Sequence, residues 1–186
     1  MNPEPIVSNP VDDVTYHLKL FSTPELGAPG QEGSLLPLSK PLAVLAYLAV
    51  EARAVSRPEL VEIFWPGVDG RHGKGSLRQA LWSLRKALDP DIFASDDPLE
   101  LAPGRIETDL DRFRDLVAAG ELAEAGTLWT GSLLEGLEFP GAREWRRWVD
   151  ELRTREERSF GDALAGAADE ARKSGDLRTA RSRLEL

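Results

Sequence analysis

Five basic residues, Arg71, Lys74, Arg78, Arg85 and Lys86, fall between Gly70 and Lys86 with no acidic residue among them. Lys and Arg gathered without carboxylates attract polyanions, and the dense phosphate charge of duplex DNA is such a target. Gln79 and Trp82 lie inside the run. An amide can read an adenine edge, and an indole can meet a thymine methyl group or a sugar. The plainer readings are a solvated Gln and a Trp packed on a neighbouring element. Arg78 and Arg85 are seven apart, two helical turns, so they share one edge of a helix. That edge can lie along a phosphate backbone, or its guanidinium groups can pair with nearby carboxylates.

The rest of the chain is acidic. Its 186 residues carry a net charge of −9, which by itself argues against nucleic acid, so the position of the basic run matters more than the total. Enzymatic readings fare poorly. Cysteine is absent, which excludes disulfides, thiolate metal sites and a Cys nucleophile, and fits a cytoplasmic protein. His17 and His72 have no metal-ligand spacing. The glycines from Gly67 to Gly75 fail the phosphate-loop pattern: Val68 stands where its first Gly belongs, and Gly75 follows Lys74 where Ser or Thr is needed. The chain is read as a non-enzyme with no cofactor. No apolar run approaches 18 residues, so no membrane span is expected, and Met1 to Pro5 lacks the pattern of a secretion signal.

A helix must present the basic run. Counted at 100° per residue from about Ser76 to Leu88, Leu77, Ala80, Leu81, Leu84 and Leu88 form one apolar stripe. Gln79, Trp82 and Lys86 lie opposite, with Arg78 and Arg85 on the flank. Two helices precede it. Ser39 is placed to cap one from about Pro41 to Ala52. Ser56 caps the other, with Pro58 in its first turn and Glu59 completing a capping box, and Pro66-Gly67 ends it. Gly67 to Gly75 is read as a loop leading to the third helix. Tyr16 to Phe21 alternates as a strand, and Leu35 to Leu38 is read as a second, forming a small antiparallel sheet. Ile92–Ala94 and Leu99–Leu101, separated by Ser95 to Pro98, resemble a hairpin. Residues 1–14 are read as a disordered tail.

From Asp109 the pattern is helical throughout. Ala119 to Ala125 parallels Ser174 to Ala180, each with a turn Gly, an acidic residue, then Leu and Ala three apart. That is the turn and second helix of a helix-pair repeat. The first pair is expected at about Leu110–Ala118 and Glu121–Trp129, then a loop at Thr130–Gly141. A long helix follows from about Arg143 to Lys173, with a partner from Asp176 to Leu186. The apolar positions of that last helix call for a further helix, so the chain reads as part of a longer protein. Trp65, Trp129, Trp145 and Trp148 are read as packing residues. Arg143 to Arg158 interleaves with Glu and Asp, so this surface is expected to neutralise itself through pairs such as Arg147–Glu151 and Arg153–Glu157.

This order of elements resembles the antibiotic-regulatory-protein (SARP) type of bacterial transcriptional activator. Its carriers are Lys40 with Leu45 to Ala49, Val55 to Leu60, Phe64-Trp65-Pro66, and above all Ser76 to Leu88. Asp109, Gly131 to Leu137 and Glu144-Trp145 look like the start of its activator domain. The resemblance implies a mainly α fold with a small β component. An OmpR-type winged helix-turn-helix domain over 15–108 would be followed by a tetratricopeptide-like bacterial transcriptional activator domain over 109–186. It implies that the third helix enters the major groove of double-stranded DNA and that the hairpin touches the minor groove or backbone. It further implies that the loop before the third helix meets RNA polymerase, and that a second protomer joins on DNA. The candidate DNA-binding residues are Arg71, Lys74, Ser76, Arg78, Gln79, Trp82, Arg85, Lys86 and Arg105. The hairpin departs from the pattern in carrying Asp96, Asp97 and Glu100. The competing reading is a protein-interaction module whose winged helix no longer binds DNA.

Overall fold

The computed structural model of the chain describes residues 14–173. Most of the expected tail at 1–14, the second repeat copy at Ser174–Ala180 and the helix from Asp176 lie outside them. The fold is mainly α with a small β part. No described helix is long and apolar enough to cross a membrane.

Strand β1 (Tyr16–Lys19) buries Tyr16 and Leu18 and exposes His17 and Lys19, the two-residue alternation of a half-buried strand. Its partner is β2 (Glu25–Gly27), antiparallel, and not the expected Leu35–Leu38 segment. That segment cannot extend a ladder through Pro37, which has no N–H. It runs alongside instead, with the Leu35 N–H donating to the Leu26 carbonyl at 2.8 Å and Leu36 buried. The sheet is also not purely antiparallel, because a distant strand joins the other side of β1 in parallel.

Helix α1 (Lys40–Glu51) is buried almost all round, including Leu42, Leu45, Tyr47 and Leu48. Ser39 holds its N-cap position without capping; its hydroxyl donates to the Pro37 carbonyl at 2.9 Å. In α2 (Arg57–Phe64) the Ser56 hydroxyl accepts the Glu59 N–H at 3.3 Å. The capping box is only half formed, because the Glu59 carboxylate turns to Arg53 and the Tyr47 hydroxyl. The Arg53 guanidinium holds that carboxyl below its usual range against the opposing effect of burial.

Helix α3 (Gly70–Ala87) begins at Gly70, well before the expected Ser76. Asp69 caps it by accepting the Arg71 N–H at 2.8 Å. Gly73 is there because α2 leaves no room: a Cβ would lie 2.6 Å from Cγ1 of Val61. A short 3-10 turn leads into the hairpin of β3 (Phe93–Asp96) and β4 (Leu99–Leu101). Leu99 also exchanges backbone hydrogen bonds with Val55, at 2.7 and 2.8 Å, which ties the hairpin to the start of α2.

β5 (Ile106–Thr108) is the distant strand beside β1, giving the order β2-β1-β5. It runs straight into α4 (Asp109–Ala119), whose N-cap Thr108 accepts the Asp111 N–H at 2.9 Å. Gly120, at φ 78°, ends α4, and α5 (Leu122–Leu128) returns against it. α6 (Arg143–Lys173) has 31 residues, a rod of about 46 Å.

One core runs through all of these elements. The Trp145 ring sits 5.0 Å from that of Phe64, and Trp148 4.9 Å from Tyr47. Trp145 and Trp148 stack on each other at 5.1 Å, the shared face that their spacing implies. Phe21 meets Phe113 at 5.2 Å and Trp129 at 5.0 Å. The half-buried Asp109 carboxylate accepts the Leu20 and Phe21 N–H groups, at 2.7 and 3.2 Å. Burial pushes its carboxyl above the usual range, and those N–H groups pull against that shift. Helices α4 to α6 therefore complete the core that α1 to α3 begin. Trp65 is only half buried, with the Lys40 ammonium 5.1 Å from its ring centre.

Candidate nucleic-acid interface

α3 separates its residues by the rotation of the helix. Gly73, Leu77, Ala80, Leu81 and Leu84 are buried. On the opposite side, within about 140° at 100° per residue, lie Lys74, Arg85, Arg78, Arg71, Trp82, Gly75, Lys86 and Gln79. The earlier start of α3 matters here. It places Arg71 and Lys74 on the helix, in register with Arg78, instead of in a loop.

Arg71, Lys74, Arg78, Gln79, Trp82 and Lys86 are exposed. None of those four cations pairs with a carboxylate among the described residues. Trp82 is 54% exposed, a large value for an indole, and the Lys86 ammonium lies 5.2 Å from its ring centre. Its ring meets no other aromatic ring among the described residues. Gly75 forms the floor of a shallow depression walled by Arg78, Gln79 and Trp82. A Cβ on Gly75 would find its nearest such neighbour, Nη2 of Arg78, at 3.9 Å, so packing does not require glycine there. The bare backbone leaves a gap in which a rod-like ligand can approach the helix closely.

Three of the expected site residues stand apart. Ser76 is half buried on the flank of α3. Arg85 leans over the hairpin: its guanidinium lies 5.1 Å from the Phe93 ring centre and pairs with the Asp96 carboxylate. Arg105 is buried inside the fold, its guanidinium 2.8 Å from the Asp89 carboxylate, and so lies off this face. The Asp89 N–H in turn donates to the Tyr16 hydroxyl at 3.0 Å, and the cluster anchors the base of the hairpin to β1. Arg105 looked like a surface cation because its partner, Asp89, is 16 residues away across a turn.

Sequence reasoning missed Arg57, whose Nε–H donates to the Asp96 carbonyl at 3.0 Å and fixes the hairpin tip from the α2 side. The outer face of α6 mixes both signs, with Arg143, Arg146 and Arg158 exposed and outside any ion pair among the described residues, beside Asp150, Glu151 and Glu157. Arg147 pairs with Glu144 and, at 3.9 Å, with Glu151. The expected Arg153–Glu157 pair is replaced: Arg153 reaches inward to the Leu133 carbonyl at 2.8 Å and lies 3.9 Å from Asp150.

No protein-family model and no curated protein matches the sequence. Among solved structures, the fold is similar to that of Mycobacterium tuberculosis EmbR in complex with a low-affinity phosphopeptide, at a TM-score of 0.66 and 22% identity. The alignment covers 92% of this chain and 49% of EmbR, so the chain spans about half the length of that protein. At this identity the likeness is one of fold.

Proposed function

We propose that the chain is a sequence-specific DNA-binding transcriptional regulator. In this reading α1 to α3 and the β3–β4 hairpin are a winged helix-turn-helix, and α3 lies in the major groove of duplex DNA. The observation that carries the reading is the outward face of α3: four unpaired cations, an amide and an exposed indole, with no acid, on a chain of net charge −9. A face of that kind on an acidic body repels non-specific polyanion binding everywhere except where the helix is presented.

Arg71, Lys74, Arg78 and Lys86 contact phosphates and set the register, while Gln79 and Trp82 meet base edges. The SARP-like motifs support the same assignment, as does the fold shared with EmbR, a transcriptional regulator. Helices α4 to α6 form the tetratricopeptide-like part. They brace α1 and α2 through Trp145 and Trp148, and their outer surface, where Asp and Glu interleave with Arg, adds less phosphate affinity than the acid-free face of α3. The turn at Trp65–Asp69 is the surface for RNA polymerase in an activator of this type, and a second protomer joins on DNA.

The test is retention of fragmented genomic DNA by the full chain, followed by sequencing of what is retained. A recurring motif supports the proposal. Retention with no recurring motif removes sequence specificity, and no retention favours a protein-interaction module.

A further inference from the structure

Arg85 lies on the same stripe of α3 as Lys74 and Arg78, yet its guanidinium is occupied. Its side chain is 32% exposed, and the Asp96 carboxylate that it meets is 66% exposed. The partner is delivered by a built arrangement. Val55 and Leu99 bond the hairpin to the start of α2, Arg57 holds the Asp96 carbonyl, and Phe93 lies beneath the guanidinium. A carboxylate offers a guanidinium two oxygens in the geometry that a phosphate offers. Asp97, the next residue, holds no ion pair among the described residues.

We infer that Asp96 acts as an internal phosphate surrogate: it withholds Arg85 from the DNA backbone and ties the hairpin tip to α3, lowering the affinity of the interface for any duplex. The inference rests on the proposed function of α3 and adds to it a residue that sets binding strength. It also accounts for an acidic hairpin tip beside a basic helix. One acid of that tip neutralises a cation that would otherwise count toward phosphate binding.

The experiment is duplex binding by the full chain as a function of salt, for the wild type, Asp96→Asn, Asp97→Asn, Arg85→Ala and the Arg85→Ala/Asp96→Asn double variant. Asp96 is exposed and its backbone stays held by Arg57, so Asp96→Asn leaves the fold intact. Releasing Arg85 adds one phosphate contact, steepening the slope of log affinity against log salt by about 0.9. Between 50 and 200 mM salt that is an additional loss of about 3.5-fold in affinity, on top of tighter binding at low salt. Asp97→Asn removes the same charge without freeing a cation, so its slope stays near that of the wild type. Arg85→Ala alone leaves the slope unchanged, and in the double variant it cancels the gain. The inference is overturned if Asp96→Asn is no steeper than Asp97→Asn, or if Arg85→Ala alone flattens the wild-type slope by about 0.9. A wild type that binds no duplex at any salt overturns the proposed function itself, which is a separate result.

Discussion

Replacing Trp145 by Ala tests whether α6 belongs to the same cooperative unit as α1 to α3. Trp145 is 2% exposed and lies 5.0 Å from Phe64 of α2. Its indole N–H donates to the Leu137 carbonyl at 2.7 Å. Truncating a buried Trp to Ala costs about 3–5 kcal/mol, and the orphaned carbonyl adds to the upper end of that range. A chain of this size unfolds with about 5–15 kcal/mol, so the loss is a large share of the total. At about 2–4 °C per kcal/mol the midpoint falls by roughly 6–20 °C. Trp145→Phe keeps a ring against Phe64 but loses the N–H, and falls between. The assay is thermal unfolding combined with hydrogen exchange. One transition is expected, with protection in α1 and α6 falling together, because Phe64 and Tyr47 lose their backing at the same time. Two separate transitions, or full protection of α1 in the variant, would refute a shared core.

Gly73→Ala should destabilise by about 1–3 kcal/mol through its clash with Val61, and Val61→Ala should recover most of it; Gly75→Ala, which has room, should stabilise the helix by up to about 1 kcal/mol in chemical denaturation. Burial pushes the Glu156 carboxyl up, but Arg114 and Arg155 outweigh it and hold the group below its usual range. Its contribution is therefore complete above the ordinary Glu value near 4.5 and fades as the pH falls through the lowered one. Glu156→Gln should flatten the acid limb of the stability profile, and an unchanged limb counts against the pairing. Trp82→Ala should leave stability within about 0.5 kcal/mol, since the indole is exposed, while weakening binding at one base position by about 1–3 kcal/mol. Loss spread evenly over all sequences would make Trp82 a positioning contact.

The parts of the fold that were legible in the sequence are those set by local pattern. The apolar stripe from Leu77 to Leu88 is buried as its spacing implies, and the hairpin forms near its expected place, but β3 runs on through Ser95 and Asp96, which read as turn, and Ile92 belongs to the 3-10 turn before it. What was not legible depends on contacts between distant residues. Glycines at 70, 73 and 75 read as a loop because glycine disfavours helix; only the approach of Val61 explains Gly73, and Asp69 supplies the cap. β5 pairs with β1 across some 90 residues, and its three residues carry no signal of that. Arg105 and Arg85 carried the right charge for a DNA contact, but their partners Asp89 and Asp96 are fixed by the turn into the hairpin and by the hairpin itself. A division of the chain at residue 108 follows the motifs, while the packing of Trp145 and Asp109 joins the two sides.

The central claim is that the outward face of α3 binds duplex DNA through phosphate contacts. The direct measurement is the salt dependence of binding of the full chain to its retained duplex, compared with the Arg71→Ala/Lys74→Ala/Arg78→Ala variant. These side chains are exposed and unpaired, so the variant should fold as the wild type does. Three lost phosphate contacts should flatten the slope of log affinity against log salt by about 2.7. An unchanged slope in a folded variant would contradict the account, because the phosphates would then be held by some other surface.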